Sequence, residues 1–373
     1  MPLLKPSLAA LLLALAASAS AAPPKVLLIV SSEGRDAGKT RPGFEMDEYA
    51  LAYQVLRANG LQIEVASPAG GAVVADKFNP AEDQIQALPP EAHELLQATR
   101  RTADLQAGEH AAVFIVGGKG AMFDLPRDPA LAALLAAHLQ QGGVLAAVCH
   151  GPAALAAVQI EGKPLVQGRR LTGFTDEEEA VFGKRWAKEY PFWLETRLRE
   201  QGARWEEAAL MMPKVVVDGR LVTGQNPFST AQAAEELVRL LGRQPVARTP
   251  FKEEASMGLV TRWLGGAPGE RQAVRAALQA EPQKYKADLI AMLGVFQFKS
   301  APNDAARRQA LAVMELAQPH FEHPQLRLTL AQAHAALGEP ARARALLQAL
   351  LAGKLDERER AAAQQALAAL PSS

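Results

Sequence analysis

The chain of 373 residues contains one cysteine, Cys149. An internal disulfide is therefore excluded. Aromatic residues make up only 5% of the sequence, and 40 basic residues balance 40 acidic ones. A balanced chain lacks the dominant positive field that nucleic acid requires, so no nucleic-acid partner is expected. Long apolar runs are also missing. The stretch 8–17 is too short to span a bilayer comfortably, and it sits between Lys5 and Ala19-Ser20-Ala21. A positive start, a short apolar core and a small-residue cleavage site describe a secretory signal peptide over residues 1–21. The expectation is a periplasmic or secreted protein with no stable membrane span after cleavage. In an oxidising compartment an unpaired thiol fits a chemical role better than a structural one.

What the sequence does contain is a regular alternation of patterns. Residues 25–30 and 111–116 are buried-strand runs, and 61–66 alternates as a half-buried strand. Helical periodicity covers 45–59, 92–101 and 128–141. A hairpin turned at Asp218-Gly219 spans 214–224, and a helix over 229–241 closes a first domain assigned to 22–245. Strands alternating with helices imply an α/β fold with a mostly parallel sheet covered on both faces. Residues 246–264 are read as a linker and 265–373 as an all-α domain. Residues 323–348 resemble a tetratricopeptide helix hairpin with Leu337-Gly338 at its turn, although a generic alanine-rich bundle fits equally well.

Cys149 ends the apolar run 144–148 and is followed by His150-Gly151-Pro152 and an alanine-rich segment. A residue at a sharp strand-to-helix turn is pushed out of the sheet towards solvent, and Ala147 and Gly151 are small enough to let the chain turn. This is the nucleophile-elbow pattern with cysteine in the serine position. The following helix would aim its positive end at the sulfur and favour thiolate. The alternative is an inert cysteine buried at a strand end. The loops 31–43 and 117–120 fall at the same sheet edge as Cys149, beyond the carboxyl ends of the strands, where parallel sheets carry their sites.

Five segments in order, 43–48, 117–126, 147–155, 171–179 and 221–227, resemble motifs of the DJ-1/PfpI superfamily. Within it they are most similar to the Hsp31-like branch (class I glutamine amidotransferase-like), over residues 25–241. The resemblance implies a flavodoxin-like three-layer sandwich, here followed by the all-α helical-repeat domain. It also implies Glu48 against Cys149, as a protonated donor able to relay protons. Glu45 and Asp47 are read as favourable charges at a helix start. His150 would serve as base or orient substrate, and Glu179 would be the third member, with Glu178 as runner-up. The amides of Gly118 and His150 would form an oxyanion hole. Lys119 stands where the branch usually has histidine, and would bind an anionic or carbonyl-bearing substrate.

The activity implied is a cofactor-independent glyoxalase III-like conversion of methylglyoxal, a small reactive aldehyde, to lactate through a Cys149 hemithioacetal. Two alternatives stay open: a cysteine amidase or peptidase using the same groups, and a stress-protective holdase with a protein partner on the helical domain. The family resemblance also suggests a homodimer. No metal is expected: Pro319 and Pro324 interrupt any helical pairing of His320 with His323. His93, His110, His138 and His334 have no partner visible in the sequence.

Overall fold

The computed structural model describes residues 23–371. The expected signal peptide lies outside the described residues. Among the described residues, no helix is long and apolar enough to cross a membrane.

The core sheet is built from β1 (Lys25–Ile29), β2 (Gln62–Ser67), β3 (Arg100–Arg101), β4 (Ala112–Ile115), β5 (Val144–Val148), β6 (Val215–Asp218) and β7 (Leu221–Gly224). Their order across the sheet is β6-β7-β5-β4-β1-β2-β3. All neighbours run parallel except the β6–β7 hairpin, which turns at Gly219-Arg220, one residue beyond the expected Asp218-Gly219, because Asp218 pairs with Leu221. β1 is apolar from Val26 to Ile29 because both faces are covered there. Val26 and Leu28 point to one face, while Leu27 and Ile29 point to the other. The first face carries α1 (Met46–Ala58), α2 (Pro90–Gln97) and α5 (Thr230–Leu240). The second carries α3 (Pro129–Gln140), whose Leu131, Leu134 and Leu135 are buried. The short α4 (Asp176–Phe182) starts with a capping box formed by Thr175 and Glu178. This is the flavodoxin-like three-layer sandwich.

The rest of the chain is helical: α6 (Lys252–Gly265), α7 (Glu270–Ala280), α8 (Ala287–Ser300), α9 (Asp304–Ala317), α10 (Pro324–Ala336), α11 (Pro340–Leu351) and α12 (Glu357–Ala368). The expected turn between α10 and α11 is present, with Gly338 in the left-handed region at φ +80°. The stretch read as a linker needs correction. α6 begins inside it and buries Met257, Leu259, Val260 and Trp263 in the helical core. Prolines and mixed charge suggested a loose connection, but the apolar residues after Ala255 form a packed stripe. The residues before α6 are pinned as well: Val246 N donates to Asn59 Oδ1 at 2.9 Å, and Arg243 donates to the Asn59 carbonyl.

The two parts share a core. Leu210, Met211 and Met212 of the α/β part belong to the apolar cluster of α6–α10. Beside it, Lys286 of the helical part bridges Glu82 at 2.7 Å and Glu253 at 2.9 Å.

Candidate active site

Cys149 follows β5 directly and has φ +56°, a left-handed conformation that a side-chain-bearing residue adopts at a cost of about 1–3 kcal/mol. Two backbone bonds hold it there. Its N–H donates to the Gly224 carbonyl at 2.9 Å, and its own carbonyl accepts from Phe174 N at 2.8 Å. The strained elbow is present, but two expectations about it fail. The sulfur does not project into solvent, because Cys149 is only 4% exposed. The segment Gly151–Ala157 is a short 3-10 helix, and its positive end does not outweigh the burial of the sulfur. Burial pushes the thiol well above its usual range, and the neighbouring Glu48 adds to the effect. The Gly118 amide opposes it. The resting group is a thiol, and a base must activate it.

Glu48 comes from the first turn of α1 and is fully buried. Its Oε2 accepts from Gly117 N at 2.6 Å, while Oε1 is buried without a hydrogen-bond partner. The Glu48 carboxyl neighbours the Cys149 thiol. Burial first, and repulsion from Glu45 second, hold Glu48 well above the usual carboxylate range.

On the other side of the sulfur, His150 Nδ1 lies 3.4 Å from Sγ, and Nε2 lies 2.7 Å from Glu179 Oε2. Glu179, not Glu178, meets the histidine. Glu178 is used structurally: it accepts from Asn226 Nδ2 at 2.9 Å and from Met211 N at 3.1 Å. If Nε2–H is donated to Glu179, the Nδ1 lone pair faces the thiol, the tautomer a general base needs. Phe174 packs on the imidazole with ring centroids 4.4 Å apart. Gly183 leaves room for the glutamate, since a methyl group there would collide with Glu179 Oε1.

The glycine loop after β4 supplies the third side. Gly118 has φ +94°, and a side chain on it would strike the Glu45 amide nitrogen. Its N–H neighbours the Cys149 sulfur and opposes the rise of the thiol. The His150 amide follows in the same turn. Lys119 lines the pocket above.

These groups open into a pocket of about 190 Å³. Its polar lining includes Glu45, Lys119 and Asn226, and its apolar lining includes Phe174, Phe182, Met211 and Phe228. A larger open cavity of about 750 Å³, lined by Tyr53, Arg57 and Glu91, holds no nucleophile. The chemistry is in the smaller one.

Two site residues escaped the sequence reading. Glu45, taken there for a helix-start charge, lines the pocket; burial, then repulsion from Asp47, pushes its carboxyl up to about 8, against the pull of Lys119. The GFEMDE run could have flagged it, since residues 45 and 48 share a helical face. Tyr190 packs edge-on to His150 at 6.0 Å, and its hydroxyl is held far above the usual range by burial and then by Glu179 and Cys149. It lies in an irregular stretch with no motif to mark it.

Four of the remaining histidines, His110, His138, His323 and His334, have side-chain hydrogen-bond partners. His138 meets the Val144 carbonyl, His323 caps α10 by accepting from Gln325 N, and His334 meets Glu339. His110 joins Glu64 and Glu109 in a group with metal-ligand spacing, but Lys25 and Arg100 already pair with its carboxylates.

Residues 40–240 match the model of the DJ-1/PfpI family. Glyoxalase 3 of Candida albicans is 31% identical over 233 residues, covering 57% of this chain and 97% of that protein. A glutathione-independent glyoxalase of Schizosaccharomyces pombe is 33% identical over 237 residues, covering 58% of this chain and 95% of the relative. The crystal structure of glyoxalase III from Candida albicans superposes with a TM-score of 0.54 at 28% identity, over 58% of this chain and 97% of that one. A buried elbow cysteine on this sheet, with these matches across its α/β part, establishes that the chain belongs to the DJ-1/PfpI family.

Proposed function

We propose that this protein is a glutathione-independent glyoxalase of the glyoxalase III type, converting methylglyoxal to lactate. The observation that carries the proposal is a buried thiol flanked by two different proton carriers, Glu48 on one side and the His150–Glu179 pair on the other. The names of the relatives support it.

The chemistry follows from the positions. His150 Nδ1 takes the thiol proton as sulfur adds to the aldehyde carbon, and the imidazolium returns it to the former aldehyde oxygen. The product is a hemithioacetal. Glu48, as carboxylate, removes the hydrogen on that carbon, giving an enediolate with its charge on the former ketone oxygen, and delivers it to the adjacent carbon. The hydroxyl proton on the sulfur-bearing carbon passes to the former ketone oxygen, so the first oxygen becomes a carbonyl and the second a hydroxyl, leaving a lactoyl thioester on Cys149. Water cleaves the thioester, releases lactate and restores the thiol. A carboxyl with a raised pKa is the stronger base once ionised, which suits removal of a carbon-bound proton. The Gly118 and His150 amides stabilise charge on the oxygen next to sulfur. Lys119 at the rim takes the ketone oxygen.

Acyl transfer alone would need Cys149, His150 and Glu179 but gives Glu48 no task. The carboxyl against the sulfur therefore favours the aldehyde reaction over an amidase. Purified protein given methylglyoxal without glutathione should form lactate. A burst of product from activated esters with methylglyoxal untouched would favour the amidase instead. The N-terminal pattern supports export, and recovery from a periplasmic fraction with Ala22 as first residue would test that.

A further inference from the structure

We propose that the helical domain completes the active site. In this account α8 holds a wall of the pocket through Phe182, Phe228 and the turn at Met211, and so sets which side chains of an α-oxoaldehyde fit beside Cys149. The inference rests on the glyoxalase reading for its substrate class, but not for its geometry.

Three apolar residues that line the pocket, Phe182, Met211 and Phe228, pack on their other side into the apolar cluster of α6–α10. The contact with α8 is direct. The Phe182 and Phe296 rings meet edge-on with centroids 5.0 Å apart. Gln297 Nε2 donates to the Leu210 carbonyl at 3.0 Å.

The turn that α8 grips is strained. Met211 has φ +65°, and a side-chain-bearing residue stays in that region only when its surroundings over-determine it. Two restraints are visible. Glu178 Oε1 accepts from Met211 N on the α/β side, and Gln297 holds the preceding carbonyl on the helical side. Glu178 is the immediate neighbour of Glu179, the partner of His150, so the same short helix carries both the wall and the catalytic carboxylate. The far end of the pocket is thus an apolar surface supplied through the helical domain. Its shape fits an oxoaldehyde whose side chain is apolar and larger than methyl. Phe296 and Gln297 are positioning residues in this account, since neither touches the reacting atoms.

The sole cysteine gives a readout independent of turnover. In the full chain, Phe296→Ala and Gln297→Ala should loosen the wall. Alkylation of Cys149 by the bulky N-phenylmaleimide should then accelerate relative to the small iodoacetamide. The expected rise in that ratio for Gln297→Ala is about fivefold, the worth of one hydrogen bond of about 1 kcal/mol. KM for phenylglyoxal relative to methylglyoxal should shift in the same variants, with less change in kcat. Leu347→Ala, in the separate α10–α12 cluster, is the control for general destabilisation. An unmoved ratio in both wall variants, or an equal rise in the control, overturns the proposal. A wild type that alkylates normally yet leaves methylglyoxal untouched sinks the glyoxalase reading alone, and the labelling ratio still decides the wall.

Discussion

At the scale of single residues, the site works by burial. Cys149 and Glu48 are both pushed up by desolvation, and reactivity depends on His150 taking the thiol proton and on Glu48, once ionised, taking the carbon-bound one. Glu48→Gln keeps the shape and removes the base. We expect kcat on methylglyoxal to fall by about 10²–10⁴-fold, the usual contribution of a positioned acid–base group, with little change in unfolding temperature. A variant within a few-fold of wild type would remove Glu48 from the mechanism. In the wild type, the acid limb of kcat should lie well above pH 4.5, because Glu48 acts only after losing a proton it holds tightly. Gly183→Ala probes the other side. Its methyl would press on Glu179 Oε1 and Ala187, so kcat should drop through a displaced His150. Unchanged steady-state kinetics would show that the glutamate can move without cost.

At the scale of elements, the strands were legible because residues buried on both faces produce unmistakable apolar runs, as in β1, β4 and β5. The 3-10 turn after Cys149 was not, since an alanine-rich run after Gly-Pro looks helical at any pitch. Tyr190 and the turn at Met211 were missed for a related reason: irregular backbone has no period to read. The preference for Glu179 over Glu178 came from the family resemblance, and the capping box at Thr175 explains why the two point apart. Elements also gather buried acids. Glu45 at the start of α1 is pushed up to about 8, and Asp124 in the loop after β4 and Glu178 in α4 are each pushed up to about 7, all chiefly by burial. Each binds its proton more tightly folded than unfolded. The native state therefore holds more protons between the two values, and stability falls as pH rises from about 4 to about 8. Denaturant midpoints at pH 5 and pH 8 check this, with the higher midpoint expected at pH 5. The opposite order would contradict the burial of these carboxyls.

At the scale of the whole molecule, the α/β sandwich and the helical domain share apolar surface at Leu210–Met212 and the Lys286 ion pair with Glu82. The sequence suggested a loose linker here because its prolines and charges hide the apolar stripe of α6. A shared core predicts that thermal unfolding followed by helix signal and by tryptophan emission coincides in one transition. Two separated transitions would show that the parts are independent. The central claim is that Cys149 carries the reaction from inside this pocket. Its most direct test is lactate formation from methylglyoxal, without glutathione, by wild type and Cys149→Ala at equal concentration. The account predicts turnover by the wild type and none above background by the folded variant. Lactate formed by Cys149→Ala at the wild-type rate would contradict it.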